Sequence, residues 1–326
     1  MTRGGDYQTR RRLLRIIGAT GTLTGLAGCS GLQDVPTGNS DGPTATDPAT
    51  PGTAGTPTTD DTGTRTPDGT PDGDSPNDVG DSGSCALSLP SDVTEATFEG
   101  SVTSDTTVGA DADHVRVTGD VSVEEGATLT VAPGTLVTFA QGSGLSVGPG
   151  AALHAAGTCQ EPIVFTGDDR TRGFWRGLYF DRSDTTGNVL EHVVVSAAGS
   201  SEFSRARARA GVVATRGSRL SVSSTTIRDN EGYGIVVGNG TVLDGFERNV
   251  VTANSLGAVA AFASSAGQLS ATTTYAGNDI DRVYVYANEI PSESETTWPE
   301  IDVPYVVDGV VEVDGHLTVE PGNTVS

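Results

Sequence analysis

The chain has 326 residues, 42 of them acidic and 19 basic, for a formal charge of −23. A body this acidic repels nucleic acid and anionic lipid, which excludes both as electrostatic partners. Aromatic residues make up 5% while glycine numbers 44, and the abundance of Thr, Val and Ser favours β structure over helix bundles.

The first segment reads as an address. Thr9-Arg10-Arg11-Arg12-Leu13-Leu14-Arg15 resembles a twin-arginine export signal, with Arg10 and Arg11 as the pair. A mildly apolar stretch, Ile16 to Ala27, follows; it is too short and too polar to span a bilayer. It ends in Leu26-Ala27-Gly28-Cys29, which resembles a lipobox. On this reading residues 1–28 are removed, Cys29 becomes the lipidated N-terminus, and the product sits on the extracellular face of the cell membrane, held by its lipid anchor.

Residues 29–84 are built from Thr, Pro, Gly, Asp and Ser, as in DPATPGTAGTPTTDDTGTRTPDGTPDGD. Almost nothing there can be buried to offset the entropy of ordering, so a disordered tether is expected. A flexible coil of this length spans roughly 40 Å.

From Cys85 the pattern changes. Short β-branched runs such as HVRVTG, DVSVEEG, ATLTVAPG and PIVFTG alternate apolar with small or polar residues and are separated by Gly, Asn and Asp turns. Period-two runs of this length predict half-buried strands, and no stretch has helical spacing. In the second half Asn230, Asn254 and Asn278 recur at a fixed interval. The apolar positions Ile235, Val259 and Val283, and then Val237, Ala261 and Val285, keep step with them. A fixed period of this size predicts stacked coils, with the aliphatic columns inward and the Asn amides forming a ladder.

These residues carry a resemblance. Gly126–Gly177 reads GATLTVAPGTLVTFAQGSGLSVGPGAALHAAGTCQEPIVFTGDDRTRGFWRG. It resembles the right-handed parallel β-helix proteins of the pectin-lyase-like type, in which an LTV-x-PGT coil precedes GALxAxGT, PIxFT and G-x-W-x-G. Asn188–Val195 resembles the next segment of that pattern. The expected fold is therefore all-β, a right-handed parallel β-helix solenoid of roughly ten coils over residues 85–326, preceded by the tether. The acidic excess and the absence of Lys resemble proteins of salt-loving archaea; the alternative is an acidic secreted protein from a GC-rich genome. The phrase LTVAPGT at Leu129 returns as LTVEPGN at Leu317, with VTGDVSVEEGATLTVAPGT matching VVDGVVEVDGHLTVEPGN. Residues 290–326 are thus either a terminal coil or the start of a second unit.

Functional signals are sparse. His114, His154, His192 and His316 lie at no metal-ligand spacing, so no metal site is expected from the motifs. Cys85 and Cys159 form a disulfide outside the cell or remain two tolerated thiols. Lyases of the resembling type hold calcium on clustered carboxylates and abstract a proton with Arg or Lys, and glycosidases on this fold use Asp pairs. The cluster that fits this chemistry contains Asp168, Asp169, Arg176 and Asp181; no cofactor is expected, and calcium is the one the resemblance would allow. Trp175 beside it is either a sugar-stacking ring or a core residue. Arg205, Arg207 and Arg209 alternate in GSSEFSRARARA, an insertion that breaks the repeat rhythm. They form either a contact for an anionic glycan or a solvated loop. The expected function is an exported, lipid-anchored, non-catalytic surface protein, either structural or binding polysaccharide or envelope glycan. The alternative is a lyase or glycoside hydrolase acting on polysaccharide. Oligomeric state is not encoded in any of these signals.

Overall fold

The computed structural model describes residues 94–203, 208–215 and 217–326. Arg10, Arg11, Cys29, the tether and Cys85 lie outside the described residues. Within them the chain runs through short strands and one 3-10 turn, Ala266–Gln268. Every strand-to-strand ladder is parallel. Parallel strands need a long crossover, usually a helix. Here the rest of the coil supplies it, so each strand returns one rung higher on its own face.

Three faces result. The first stacks Leu136–Phe139, Ile163–Gly167, Val193–Ser196, Thr226–Arg228 and Val250–Thr252. The second stacks Leu145–Val147, Leu178–Phe180, Ala210–Ala214, Tyr233–Val237, Gly257–Phe262, Val283–Tyr286 and Tyr305–Asp308. The third runs from Thr106–Val108 through Thr128–Val131, Ala152–Ala156, Val189–Glu191 and Arg219–Ser223 to Val242–Glu247. The strand His114–Val123 turns a corner and joins the first two faces into one sheet.

One column shows how the core is filled. Val102, Val123, Val147, Phe180, Ala214, Val237, Ala261, Val285 and Val307 lie above one another on the second face, all buried. A bridge from Tyr305 to Val325 adds a further rung. Ten rungs at about 4.8 Å make a rod about 43 Å long between the first and last. The expected parallel β-helix and its coil number are both present.

Two side-chain ladders lock the turns that bound the first face. Asn230 donates from its amide to Asn254 at 2.9 Å, and Asn254 to Asn278 at 3.0 Å, each 24 residues on. The ladder ends where the Ala198 N–H donates to Asn230 Oδ1. A second ladder, which sequence reasoning did not single out, links Val193, Thr225, Asn249 and Thr273 through backbone N–H donors and side-chain oxygens. The residue before each of these turns is left-handed: φ is 55° at Asp229, 54° at Ala253, 49° at Ser224 and 54° at Arg248. That conformation costs a non-glycine residue about 1 kcal/mol, which the stacked amides offset.

The last unit is turned relative to the first. By sequence Tyr305 matches Val115, on the first face. In space Tyr305 stands in the column of Val121, Leu145, Leu178, Val212, Ile235, Val259 and Val283, on the second. Between Tyr286 and Tyr305 the coil carries two short strands, Glu289–Ile290 and Glu295–Trp298. Trp298 is buried, donates its indole N–H to the Ala263 carbonyl at 3.0 Å and lies 5.0 Å from the Tyr305 ring. After this coil, 22 residues from Val283 to Tyr305 against 24 from Val259 to Val283, the following unit enters one face later.

Candidate functional site

The Asp/Arg cluster does not act as one group. Asp168 accepts two hydrogen bonds from Arg116, at 2.6 and 3.0 Å, and the hydrogen bond holds its carboxyl below the usual range. Asp169 accepts from the Thr171 N–H at 2.9 Å and from its hydroxyl, which also lowers its carboxyl. Arg176 sits 3.5 Å from Asp120 and 5.0 Å from the centre of the Phe203 ring. Asp181 lies 3.6 Å from Arg182 and accepts from Thr215. Each candidate is engaged in a local contact of its own. Between them Arg172 reaches 107 residues along the chain to grip Asp279 at 2.7 and 3.1 Å. Among the described residues no group of three or more His, Cys, Asp or Glu could hold a metal ion, so the carboxylate cage that calcium would need is not assembled there.

Trp175 offers no face to a sugar. It is fully buried, stacks on Phe139 at 4.0 Å and donates its indole N–H to the Ser196 carbonyl at 2.7 Å. Of the two readings, sugar-stacking ring or core residue, this burial matches the core one: the GFWRG turn drives the ring inward between coils. Arg205 and Arg207 lie outside the described residues, and Arg209 is exposed. The described residues on either side of Arg205 and Arg207, Phe203 and Ala208, are buried. Phe203 is 1% exposed and stacks on Tyr179 at 4.5 Å, and Ala208, bridged to Phe203, packs into the same cluster.

That contact belongs to a feature the sequence reading missed. On the second face Tyr179, Val213, Val236, Ala260, Tyr284 and Val306 form the outward row. Outward positions of a solenoid normally meet water, yet Val213, Val236 and Ala260 are buried. Phe203 and Ala208 cover one end. At the other, Tyr233, Tyr284, Tyr286 and Phe262 gather: ring centres are 6.1 Å apart for Tyr233–Tyr284, 5.0 Å for Tyr284–Tyr286 and 5.3 Å for Phe262–Tyr286. Arg282 lies 5.2 Å over the Tyr284 ring, and the Tyr284 hydroxyl donates to Asp308 at 2.6 Å. Burial, then the Asp308 carboxylate, pushes the Tyr284 phenol well above its ordinary range. Burial likewise raises Tyr233 and Tyr286. All three phenols therefore stay neutral at physiological pH.

Phe262, Tyr284 and Tyr286 keep part of their surface in water, and Asp308 is exposed. The patch thus combines apolar ring faces with a carboxylate acceptor and a guanidinium donor at its rim. Such a surface can take the C–H face of a pyranose on the rings while the rim groups meet its hydroxyls. The signal was present in VYVY, Val283–Tyr286. If Val283 and Val285 fill the core column, the two tyrosines must point outward.

Residues 100–205 match the family model described as the pectate-lyase like beta helix domain. No curated protein and no solved structure matches the chain. The matched span ends within the insertion, and the parallel registers carry the same architecture on to Val325. The family match over residues 100–205 and the strand topology beyond it together make the described residues a parallel β-helix repeat, pectate-lyase-like over the matched span.

Proposed function

We propose that the chain is an exported, lipid-anchored surface protein whose β-helix binds envelope glycan without cleaving it. The observation that carries this reading is the half-exposed aromatic patch of Phe262, Tyr284 and Tyr286, rimmed by Arg282 and Asp308. Outward aromatic rings beyond those needed for packing mark a recognition surface more often than a structural one. The acidic body disfavours polyanions, so neutral glycan is the expected ligand. Arg10, Arg11 and Cys29 support export and anchoring, and the Thr/Pro-rich run that follows supports a spacer between lipid and rod. The lysine-free acidic composition supports a setting of high salt; full stability of the protein in dilute buffer would contradict that part.

The test is retention on insoluble cell-envelope polysaccharide. The double substitution Tyr284→Ala, Tyr286→Ala should cut binding at least about tenfold, with circular dichroism unchanged. Release of unsaturated or reducing sugar ends from the same polymer, abolished by Asp168→Ala and Asp169→Ala, would overturn the non-catalytic reading. Anchoring is tested separately: Cys29→Ala should move the protein from the membrane fraction to the medium, and continued membrane attachment would count against lipidation.

A further inference from the structure

The aromatic patch is short and closed on two sides. Its open rings rise from neighbouring rungs, Phe262 from one and Tyr284 and Tyr286 from the next. Rungs lie about 4.8 Å apart and alternate residues of a strand about 7 Å apart, so the rings are rooted in an area close to the footprint of a single pyranose. Toward the first coils the platform stops. Val213, Val236 and Ala260 point outward there yet are buried, and Phe203 and Ala208 stand above the sheet in the same cluster. Burial is the main cause of the raised Tyr286 phenol, and the carboxylates of Asp308 and Glu202 add to it, so exposed Glu202 stands at this edge of the patch. At the start of the strands the patch is closed again. Tyr233 reaches to 6.1 Å from the Tyr284 ring, and Arg282 covers that ring while its Nε donates to the Leu256 carbonyl at 3.2 Å.

The two closed sides each face an open one, toward Val306 along the rod and toward Ala287 along the strand. A pyranose linked to neighbours at opposite ring positions needs clearance on opposite sides, and neither direction across this patch provides it. A sugar with one neighbour needs clearance on one side only. The polar groups narrow the ligand further. The Tyr284 hydroxyl has given its hydrogen to Asp308, which leaves the ligand the remaining lone pairs of the carboxylate and of the phenol oxygen. Acceptors select hydroxyl donors, and the carboxylates of Asp308 and Glu202 repel an acidic sugar.

We infer that the patch recognises the terminal, uncharged pyranose of a glycan chain or branch rather than residues within the chain; this rests on the glycan-binding reading above. The sugar ring lies on Tyr284 and Tyr286, its hydroxyls meet Asp308, and its linkage leaves through the open side. The protein then counts chain ends, and its coverage of an envelope polymer follows the number of ends rather than the mass of glycan.

The test uses cell-envelope polysaccharide coupled to beads through its reducing ends, intact or first shortened by partial acid hydrolysis to half its mean length, at equal mass. Shortening doubles the terminal sugars and adds no interior ones. Bound full-length protein at saturation should rise about twofold on the shortened polymer, and Asp308→Ala should weaken binding to it at least about fivefold with circular dichroism unchanged. Saturation that stays the same or falls on the shortened polymer overturns the inference and leaves the glycan-binding reading standing. Unchanged affinity of Asp308→Ala overturns it as well. Failure to bind either preparation overturns the glycan-binding reading and this inference with it.

Discussion

The phrase LTVxPG occurs twice, and its two copies make the same turn in different surroundings. Gly134 and Gly322 are both left-handed, with φ of 75° and 93°. The residue after each glycine closes the turn: the Thr135 hydroxyl donates to the Ala132 carbonyl at 2.7 Å, and the Asn323 amide to the Glu320 carbonyl at 3.1 Å. Both strands enter parallel ladders. Yet Leu129 is 1% exposed, whereas Leu317 is half-buried and Val319 is 36% exposed. The strand of Leu129 has a neighbour on each side, Thr106–Val108 and Ala152–Ala156. The strand His316–Val319 pairs, among the described residues, with Glu295–Trp298 alone. The turn is a local property, while burial comes from the rungs stacked above and below.

Truncating the two leucines measures that difference directly. Leu129→Ala should cost about 2–5 kcal/mol, because the rungs on either side prevent collapse of the hole; Leu317→Ala should cost less than about 1 kcal/mol. Urea unfolding followed by circular dichroism compares them, and equal losses would break the contrast. The turn amides give a smaller contrast. Asn254→Ala removes the acceptor of the Asn230 N–H and the donor to the Ile227 carbonyl, both in the interior, and should cost about 2–4 kcal/mol. Asn323→Ala should cost about 1 kcal/mol, since its partners lie near water.

The smallest effect belongs to the surface pair Arg116–Asp168, which ties two rungs across the one between them. The Asp168 carboxyl is depressed in the folded protein, so its contribution is present above the unfolded carboxylate range, near pH 4, and disappears as pH falls through the folded value. Arg116→Ala should therefore lower the urea midpoint slightly at neutral pH and leave it unchanged in strong acid. A deficit that persisted in strong acid would mean that the guanidinium acts through packing rather than charge.

The fold was legible because its rules are local and repetitive. Strands of three to five residues announce themselves by alternation, and Asn230, Asn254 and Asn278 set the period that the registers later obey. The second ladder escaped notice because Thr225, Asn249 and Thr273 share a hydrogen-bonding role without sharing a residue type. The binding patch escaped for a related reason. Tyr179 and Tyr284 stand in one row, but the coils between them differ in length, so no constant interval links them in sequence. The charged cluster shows the opposite relation. Asp168, Arg172, Arg176 and Asp181 are close along the chain, but they sit on an excursion that turns them toward partners as distant as Asp120 and Asp279.

Tyr305 occupies the column of Val121 rather than that of Val115, which turns the second LTVxPG unit by one side of the prism. A chain that iterated this step would carry each outward row around the axis as a spiral staircase. Identical residues in three successive units would then look out in three directions, and such an array would present its contacts to all sides of the rod instead of along a single stripe.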